Sequence, residues 1–216
     1  MIAPVHTRLA RALLPFVRQR RERPRAEERC EICSAPIEER HRHLVDLRAR
    51  TLACACAPCA LLFTSGATST WRTIPERIHH DPALVLPAEA LAEAGMPVRL
   101  AFAFFHSGLQ RHVCIYPGPA GTTEAELDPA AWRALAARSP LFAAAAPDVE
   151  AILFHGERES ATVEAWLVGV DRCYELTGSL RRLWRGFDGG DEVRAALDAF
   201  FAALRERSRP LPEVAR

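Results

Sequence analysis

The chain has 216 residues, of which 49% are hydrophobic and 25% are charged. This composition supplies enough apolar side chains for a folded core, which excludes a disordered protein. The formal net charge is +1, with 28 arginines, no lysine and 27 acidic residues. No electrostatic field of the whole protein therefore draws it to nucleic acid or acidic lipid.

The first segment, residues 1–29, contains eight arginines against three glutamates. Leu9, Leu13, Phe16 and Val17 recur at helical spacing, which predicts an N-terminal helix or arm. Its charges form no one-sided stripe, which favours a solvated helix over an arm that binds an acidic partner. Because it contains no apolar core of a secretory signal and the chain has no run of about 20 apolar residues, we expect a cytoplasmic protein without a membrane span.

The second segment, residues 30–63, is rich in cysteine. The pairs Cys30/Cys33 and Cys56/Cys59 are separated by 22 residues. Each Cys-x2-Cys turn brings two sulfurs to one side of a tight loop, and two turns supply the four thiolates that structural zinc prefers. A single cluster, rather than cysteines spread along the chain, favours metal binding over a disulfide framework. We therefore predict a zinc ribbon-like module with a closed zinc site.

Two further residues in this module are possible substitutes for one of the four cysteines. Cys54 precedes Cys56 by two residues, and His43 begins the strand predicted at 43–47, which forms a hairpin with a strand at 51–54. An iron–sulfur cluster is the alternative cofactor because it also binds four thiolates. The spacing of the pairs favours zinc.

The pattern of the remaining residues predicts one α+β domain at residues 98–207. A linker with a short helix at 64–97 precedes this domain, and a tail at 208–216 follows it. The predicted order is ββαββαα, an antiparallel sheet with helices on one face. Residues 116–121 are predicted to form a rigid loop. The predicted strands are 98–106, 112–116, 149–155 and 162–170. Asp128 and Asp171 are predicted to cap the first two helices, and the third helix follows Gly190.

The α+β domain contains no nucleophile elbow, phosphate-binding loop or dinucleotide glycine pattern, which favours a non-enzymatic function. Arginine and aromatic residues end the second helix before two glycines. Such residues are enriched at interface hot spots, although cations at a helix C-terminus also complement its dipole. The candidate partner-binding residues are Arg181, Arg182, Trp184, Arg185 and Phe187.

Five motifs together resemble a known family: Cys30–Cys33, His41–Asp46, Leu52–Phe63, Tyr116–Gly121 and Trp184–Gly190. They are similar to an uncharacterised bacterial family, a domain of unknown function, associated with gene neighbourhoods of uptake nickel–iron hydrogenases. The resemblance covers about residues 28–207. It implies an accessory role in the maturation, assembly or electron coupling of the hydrogenase, with a hydrogenase subunit or maturation factor as the protein partner.

Two other functions stay open from the residues alone. One is a redox protein, in which the cysteines hold an iron–sulfur cluster or Cys54 is a reactive thiol. The other is a zinc ribbon that binds nucleic acid through the arginine-rich arm. Acidic residues beside the arginines of the hairpin make the second alternative the weaker one.

Overall fold

The computed structural model describes residues 28–64, 70–96, 99–157, 160–186 and 189–212. These residues form a three-stranded sheet, an eight-stranded sheet and five helices, which confirms the α+β class. The helix predicted within residues 1–29 lies outside the described residues except for the last two positions. None of the described helices is long and apolar enough to cross a membrane.

The small sheet contains the predicted hairpin. Strand β1 (Arg42–Asp46) pairs with β2 (Thr51–Ala55) on one side and with β3 (Trp71–Thr73) on the other, and all pairs are antiparallel. Helix α1 (Ala57–Leu62) follows β2 directly. Strand β3 lies in the segment that the sequence predicts as a linker.

The side chain of Asp46 shapes the turn between β1 and β2. Its Oδ1 accepts hydrogen bonds from the amides of Arg48 and Ala49, at 2.8 and 3.1 Å, as in an Asx turn. Asp46 thus pairs with Thr51 across the turn, and this register places His43 directly opposite Cys54.

The large sheet has the strand order β11-β4-β10-β9-β6-β7-β8, and β5 also pairs with β10. Every pair is antiparallel except β11 with β4. Its strands are β4 (His79–His80), β5 (Leu86–Pro87), β6 (Leu100–His106), β7 (Arg111–Gly118), β8 (Gly121–Glu126), β9 (Glu150–His155), β10 (Thr162–Gly169) and β11 (Arg209–Pro210). The remaining helices are α2 (Ala88–Glu93), α3 (Pro129–Ala136), α4 (Val170–Leu183) and α5 (Gly190–Arg207).

The large sheet is covered on both faces, so the prediction of helices on one face is wrong. Along β6, Ala101 and Ala103 belong to a core that includes residues of α2 and α3, whereas Phe102 belongs to a core that includes residues of α4 and α5. Successive side chains of a strand point to opposite faces. Strands buried on both faces are apolar throughout, and five of the six residues of β9 are buried.

The observed order after residue 98 is βββαββααβ rather than ββαββαα. Strand β7 runs into the loop predicted at 116–121, and β8 follows it at the edge of the sheet. Most of β8 is exposed, so its threonines and glutamates give no alternating apolar signal. Strands β4, β5 and β11 have two residues each, too few for any periodicity.

The two sheets are held together by apolar packing and by ion pairs. Val45 of β1 and Ile74, just after β3, are buried in the core beneath α4 and α5. Arg77 then donates two hydrogen bonds of 2.6 Å to the carboxylate of Glu150, which is fully buried. The segment that the sequence predicts as a linker is thus fixed to the large sheet.

Candidate metal centre

The first cysteine pair lies on a tight turn. The amide of Cys30 donates to the carbonyl of Ala35, and the amide of Ser34 donates to the carbonyl of Cys30, both at 2.8 Å. Ser34 has φ 62°, in the left-handed region that few residues other than glycine adopt. The chain therefore reverses within five residues and carries Cys30 and Cys33 on one compact loop.

The second pair lies at the start of α1. Cys56 occupies the N-cap position, and a proline in the first turn fits the helix start because its missing amide would have no helical partner. Cys56 and Cys59 are three residues apart and so lie on one side of the helix. The hydroxyl of Thr73 donates to the carbonyl of Ala60 at 2.5 Å, which ties α1 to β3.

A reciprocal pair of hydrogen bonds brings the two turns together. The amide of Glu31 donates to the carbonyl of Cys54 at 2.9 Å, and the amide of Cys54 donates to the carboxylate of Glu31. The sulfurs of the four paired cysteines lie within 4.8 Å of one another, and those of Cys33 and Cys56 are 3.7 Å apart. Four sulfurs about 2.3 Å from one tetrahedral ion are about 3.8 Å apart. The four cysteines could therefore hold one metal ion.

Hydrogen bonding shifts the pKa values of the two buried thiols of this cluster in opposite directions. Burial raises the pKa of Cys30, but the backbone amides of Cys56, Cys33 and Ile32 donate to its sulfur and lower the pKa to about 6. Hydrogen bonds with the thiols of Cys56 and Cys33 raise the pKa of Cys59 to about 12. Gathered thiolates repel one another, so one sulfur keeps its proton until a cation compensates the charge.

All seven cysteines are free thiols. Two of them, Cys114 and Cys173, lie outside the cluster, in the cores on the two faces of the large sheet. Burial raises the pKa of Cys114 to about 11 and that of Cys173 well above its usual range. These two thiols are protonated and shielded, and they contribute to packing.

The two predicted substitute ligands lie in a separate group. His43 and Cys54 are brought together with His41, and one donor atom of each lies within 4.8 Å of the others. His43 lies in β1 and His41 directly precedes this strand, and the centroids of the two rings are 4.8 Å apart. The module thus contains two groups of potential metal ligands, and sequence reasoning predicted only the first.

The candidate partner-binding residues lie at the end of α4, where Trp184 and Arg185 donate hydrogen bonds to the local backbone. The indole of Trp184 donates to the carbonyl of Gly186 at 3.0 Å. Arg185 donates to the carbonyls of Arg182 and Trp184 at 3.2 and 3.0 Å. Arg181 and Arg182 are exposed in the last turn, and Phe187 lies outside the described residues. These contacts stabilise the helix end, and partner binding there stays a prediction.

A family model describes nearly the whole of this architecture. The family of unknown function DUF5947 matches residues 29–208, from the residue before Cys30 to the residue after α5. The chain belongs to this family. Both groups of potential metal ligands lie inside the matched region of this DUF5947 member. Neither a curated protein nor a solved structure matches the chain.

Sequence reasoning considered His41 only as an imidazole close to the four cysteines, not as part of a second group, and it missed Asp171 as the partner of His43. Asp171 was expected only to cap a helix, but α4 begins at Val170, and the Asp171 carboxylate instead lies 2.9 Å from Nδ1 of His43. These residues are 128 positions apart in the chain, so no local pattern could reveal the contact. The pair of histidines at alternate positions, His41 and His43, was the available signal.

Proposed function

We propose that this protein is a non-enzymatic accessory protein whose four-cysteine cluster holds a structural zinc ion and shapes a surface for a protein partner. The observation that carries the proposal is the gathering of Cys30, Cys33, Cys56 and Cys59 to within 4.8 Å. Four thiolates complete the tetrahedral coordination of zinc and leave no position for a substrate. A zinc ion bound there supports a structural rather than a catalytic role.

The spacing of the sulfurs supports a single ion over an iron–sulfur cluster. In a cluster, the cysteine ligands bind different iron atoms, so at least some of their sulfurs stand farther apart than around one ion. All four sulfurs lie within 4.8 Å of one another, so no pair is separated as widely as the ligands of different iron atoms are. A single iron ion is then the remaining iron-containing alternative.

The environment of Cys54 argues against a reactive thiol. Burial and the neighbouring carboxylates of Glu31 and Glu28 raise the pKa of Cys54. The thiolate is the nucleophilic form of cysteine, and reactive cysteines have lowered pKa values. The raised pKa of Cys54 therefore favours the accessory function over thiol redox chemistry.

The charge of the module argues against nucleic-acid binding. Residues 30–63 contain four arginines and four acidic residues, so the module presents no net positive charge to phosphates. Binding to nucleic acid depends on such a basic surface. Protein partners are the better match for this composition.

The candidate docking surface lies on the two cysteine-bearing turns. Leu61 and Leu62 of α1 are 72% and 73% exposed, and Ile32, between Cys30 and Cys33, is 38% exposed. Exposed apolar side chains on a rigid element are typical of protein contacts. From the resemblance to proteins encoded near nickel–iron hydrogenase genes, we propose a hydrogenase subunit or maturation factor as the partner.

Elemental analysis of protein purified without oxygen tests the metal. We expect one equivalent of tightly bound zinc in the four-cysteine cluster and a colourless solution, because zinc has no absorption in the visible range. A red or brown solution that contains iron would show that the cluster binds iron instead of zinc, and it would support the redox alternative.

Binding to purified hydrogenase subunits and maturation factors tests the partner. We expect the double substitution Leu61→Ser and Leu62→Ser to weaken binding without loss of zinc. Val85→Ser is the matched control, because Val85 is 70% exposed but lies between β4 and β5, away from the cysteines. Equal weakening by the control, or no binding to any of these proteins, would contradict the proposed partner.

A further inference from the structure

A second group of metal-binding side chains lies beside the four-cysteine cluster, on the hairpin itself. It consists of His41, His43 and Cys54, with one donor atom of each within 4.8 Å of the others. His43 and Cys54 face each other across β1 and β2. A tetrahedral ion with two nitrogen ligands and one sulfur ligand would hold these atoms about 3.3 to 3.6 Å apart. A closure of the three donor atoms by on the order of 1 Å would therefore bring them to these distances.

In both histidines the hydrogen-bonded nitrogen is Nδ1. Nδ1 of His41 donates to the carbonyl of Glu38 at 2.8 Å, and Nδ1 of His43 donates to the carboxylate of Asp171 at 2.9 Å. Neutral imidazole with a proton on Nδ1 has its lone pair on Nε2. Nε2 of His41 is buried and has no hydrogen-bond partner among the described residues, and the His41 side chain is only 9% exposed. A buried nitrogen lone pair without a donor is suited to a cation.

Asp171 is placed to orient His43. A carboxylate bound to the second nitrogen of a metal-ligating histidine fixes the ring and increases its basicity. The neighbouring Gly169 makes this placement possible, because a Cβ at residue 169 would lie 2.5 Å from Oδ1 of Asp171 and 2.9 Å from the carbonyl oxygen of Pro75. Helix α4 thus supplies a positioning residue for a group on the small sheet.

The three side chains line a cleft of about 810 Å³ between the hairpin and the start of α4. Zinc sites with three protein ligands keep a fourth position for water or another small donor, whereas four-ligand sites are closed. The cleft gives such a donor access to the group. The two groups in the module therefore differ in kind, because one is complete and the other has one position open.

We propose that His41, His43 and Cys54 form a second metal site, which binds a borderline divalent transition-metal ion such as Zn²⁺ or Co²⁺ and takes its fourth ligand from the cleft. The mixed nitrogen and sulfur donors suit these ions better than Mg²⁺ or Ca²⁺, which prefer oxygen. This site is independent of the proposed docking function, since it uses none of the four paired cysteines.

Titration of the metal-free full-length protein with Co²⁺ under reducing conditions tests the proposal. We expect two equivalents to bind to the wild-type chain, and one to bind to Cys54→Ser and to His41→Gln. The remaining equivalent should keep the visible spectrum of cobalt bound to four thiolates. His79→Gln is the control, because His79 lies in β4, outside both groups. Binding of only one equivalent of Co²⁺ to the wild-type chain, or of two equivalents to both variants, would overturn the proposal of a second site.

Two further measurements test the open position and the role of Asp171. Azide should change the cobalt spectrum of the wild-type chain but not that of Cys54→Ser, and an unchanged wild-type spectrum would exclude an open position. Asp171→Asn should weaken the affinity for the second Co²⁺ ion by about 10- to 100-fold without changing the number of ions bound. Partial recovery of this affinity in Asp171→Glu would support the orientation of His43 by the carboxylate of residue 171. An unaltered affinity in Asp171→Asn would exclude it.

Discussion

The small and the large sheet have hydrophobic cores of very different size. The core of the small sheet consists of five buried residues, two of which are Cys30 and Cys59. The large sheet buries apolar side chains on both faces, including Phe102, Phe154 and Phe201 at full burial. A sheet as small as the first one cannot bury enough apolar surface to fold unaided and needs a cross-link. The comparison teaches that the small sheet would gain from the proposed metal what the large sheet gains from packing alone.

The largest effect should follow from removing one sulfur. Cys33→Ser deletes a ligand of the four-cysteine cluster while disturbing little packing, because Cys33 is exposed. Structural zinc contributes on the order of 10 kcal/mol to the folding of small zinc modules. We expect loss of the metal and rapid hydrogen exchange in residues 28–64, while the central strands of the large sheet stay protected.

Cys114→Ser is the matched control for Cys33→Ser. Cys114 is fully buried but belongs to the large sheet, so this variant should lose stability and keep its metal. Retention of metal by Cys33→Ser, or uniform loss of protection across both sheets, would show that the small sheet does not depend on the cluster.

The second largest effect should come from the packing of the large sheet. Phe102→Ala removes a fully buried ring from the core beneath α4 and α5, and such changes cost about 3–5 kcal/mol. Urea unfolding followed by circular dichroism measures this loss. The metal content of the folded protein should remain unchanged, and loss of metal at urea concentrations where the large sheet is still folded would contradict the division between the two regions.

The sequence predicted the composition of the cysteine cluster but not the second group. Cys-x2-Cys spacing is a local property, and it determined the four residues that the structure brings together. The second group depends on the register of the hairpin. The predicted hairpin pairs residue 47 with residue 51 and therefore residue 44 with Cys54. In the structure, the turn formed by Asp46 pairs Asp46 with Thr51, so that His43 is the partner of Cys54. A shift by one residue moves every side chain to the other face.

The fold of the large sheet was predictable where apolar periodicity is long. The four strands predicted from apolar runs correspond to β6, β7, β9 and β10, and the helix after Asp128 is capped by that side chain as expected. The edge strand β8 and the two-residue strands were not predictable, since their pairing depends on partners distant in sequence. Coverage on both faces was missed because the apolar runs were assigned to one buried face.

The third effect concerns the ion pair that fixes the junction between the sheets. Arg77→Met leaves the fully buried carboxylate of Glu150 with only the amide of Ala146 as a donor among its observed contacts. Removing one partner of a buried pair costs about 3–5 kcal/mol, and because the Arg77 side chain is 44% exposed, we expect about 2–3 kcal/mol. Thermal unfolding measures the change.

Arg111→Met provides the comparison for the junction pair. The Arg111 and Glu126 side chains are 38% and 72% exposed, and exposed pairs contribute less than about 1 kcal/mol. A loss in Arg77→Met no greater than that in Arg111→Met would mean that the junction is held by Val45 and Ile74 rather than by the ion pair.

The smallest effect should be the pH dependence of the large sheet, which rests on His155. Its ring stacks on Phe201 with centroids 3.7 Å apart, and burial lowers its pKa below the usual value of about 6.5. A lowered pKa in the folded state means that the unfolded chain binds the proton more strongly. The stability contributed by the neutral ring is therefore complete above about pH 6.5 and is lost as the pH falls through the folded-state pKa. The urea midpoints measured at pH 7.5 and pH 5.5 should therefore differ less in His155→Gln than in the wild-type chain. An equal difference in both proteins would assign the pH dependence to other groups. His112 is one such group, because burial also lowers its pKa.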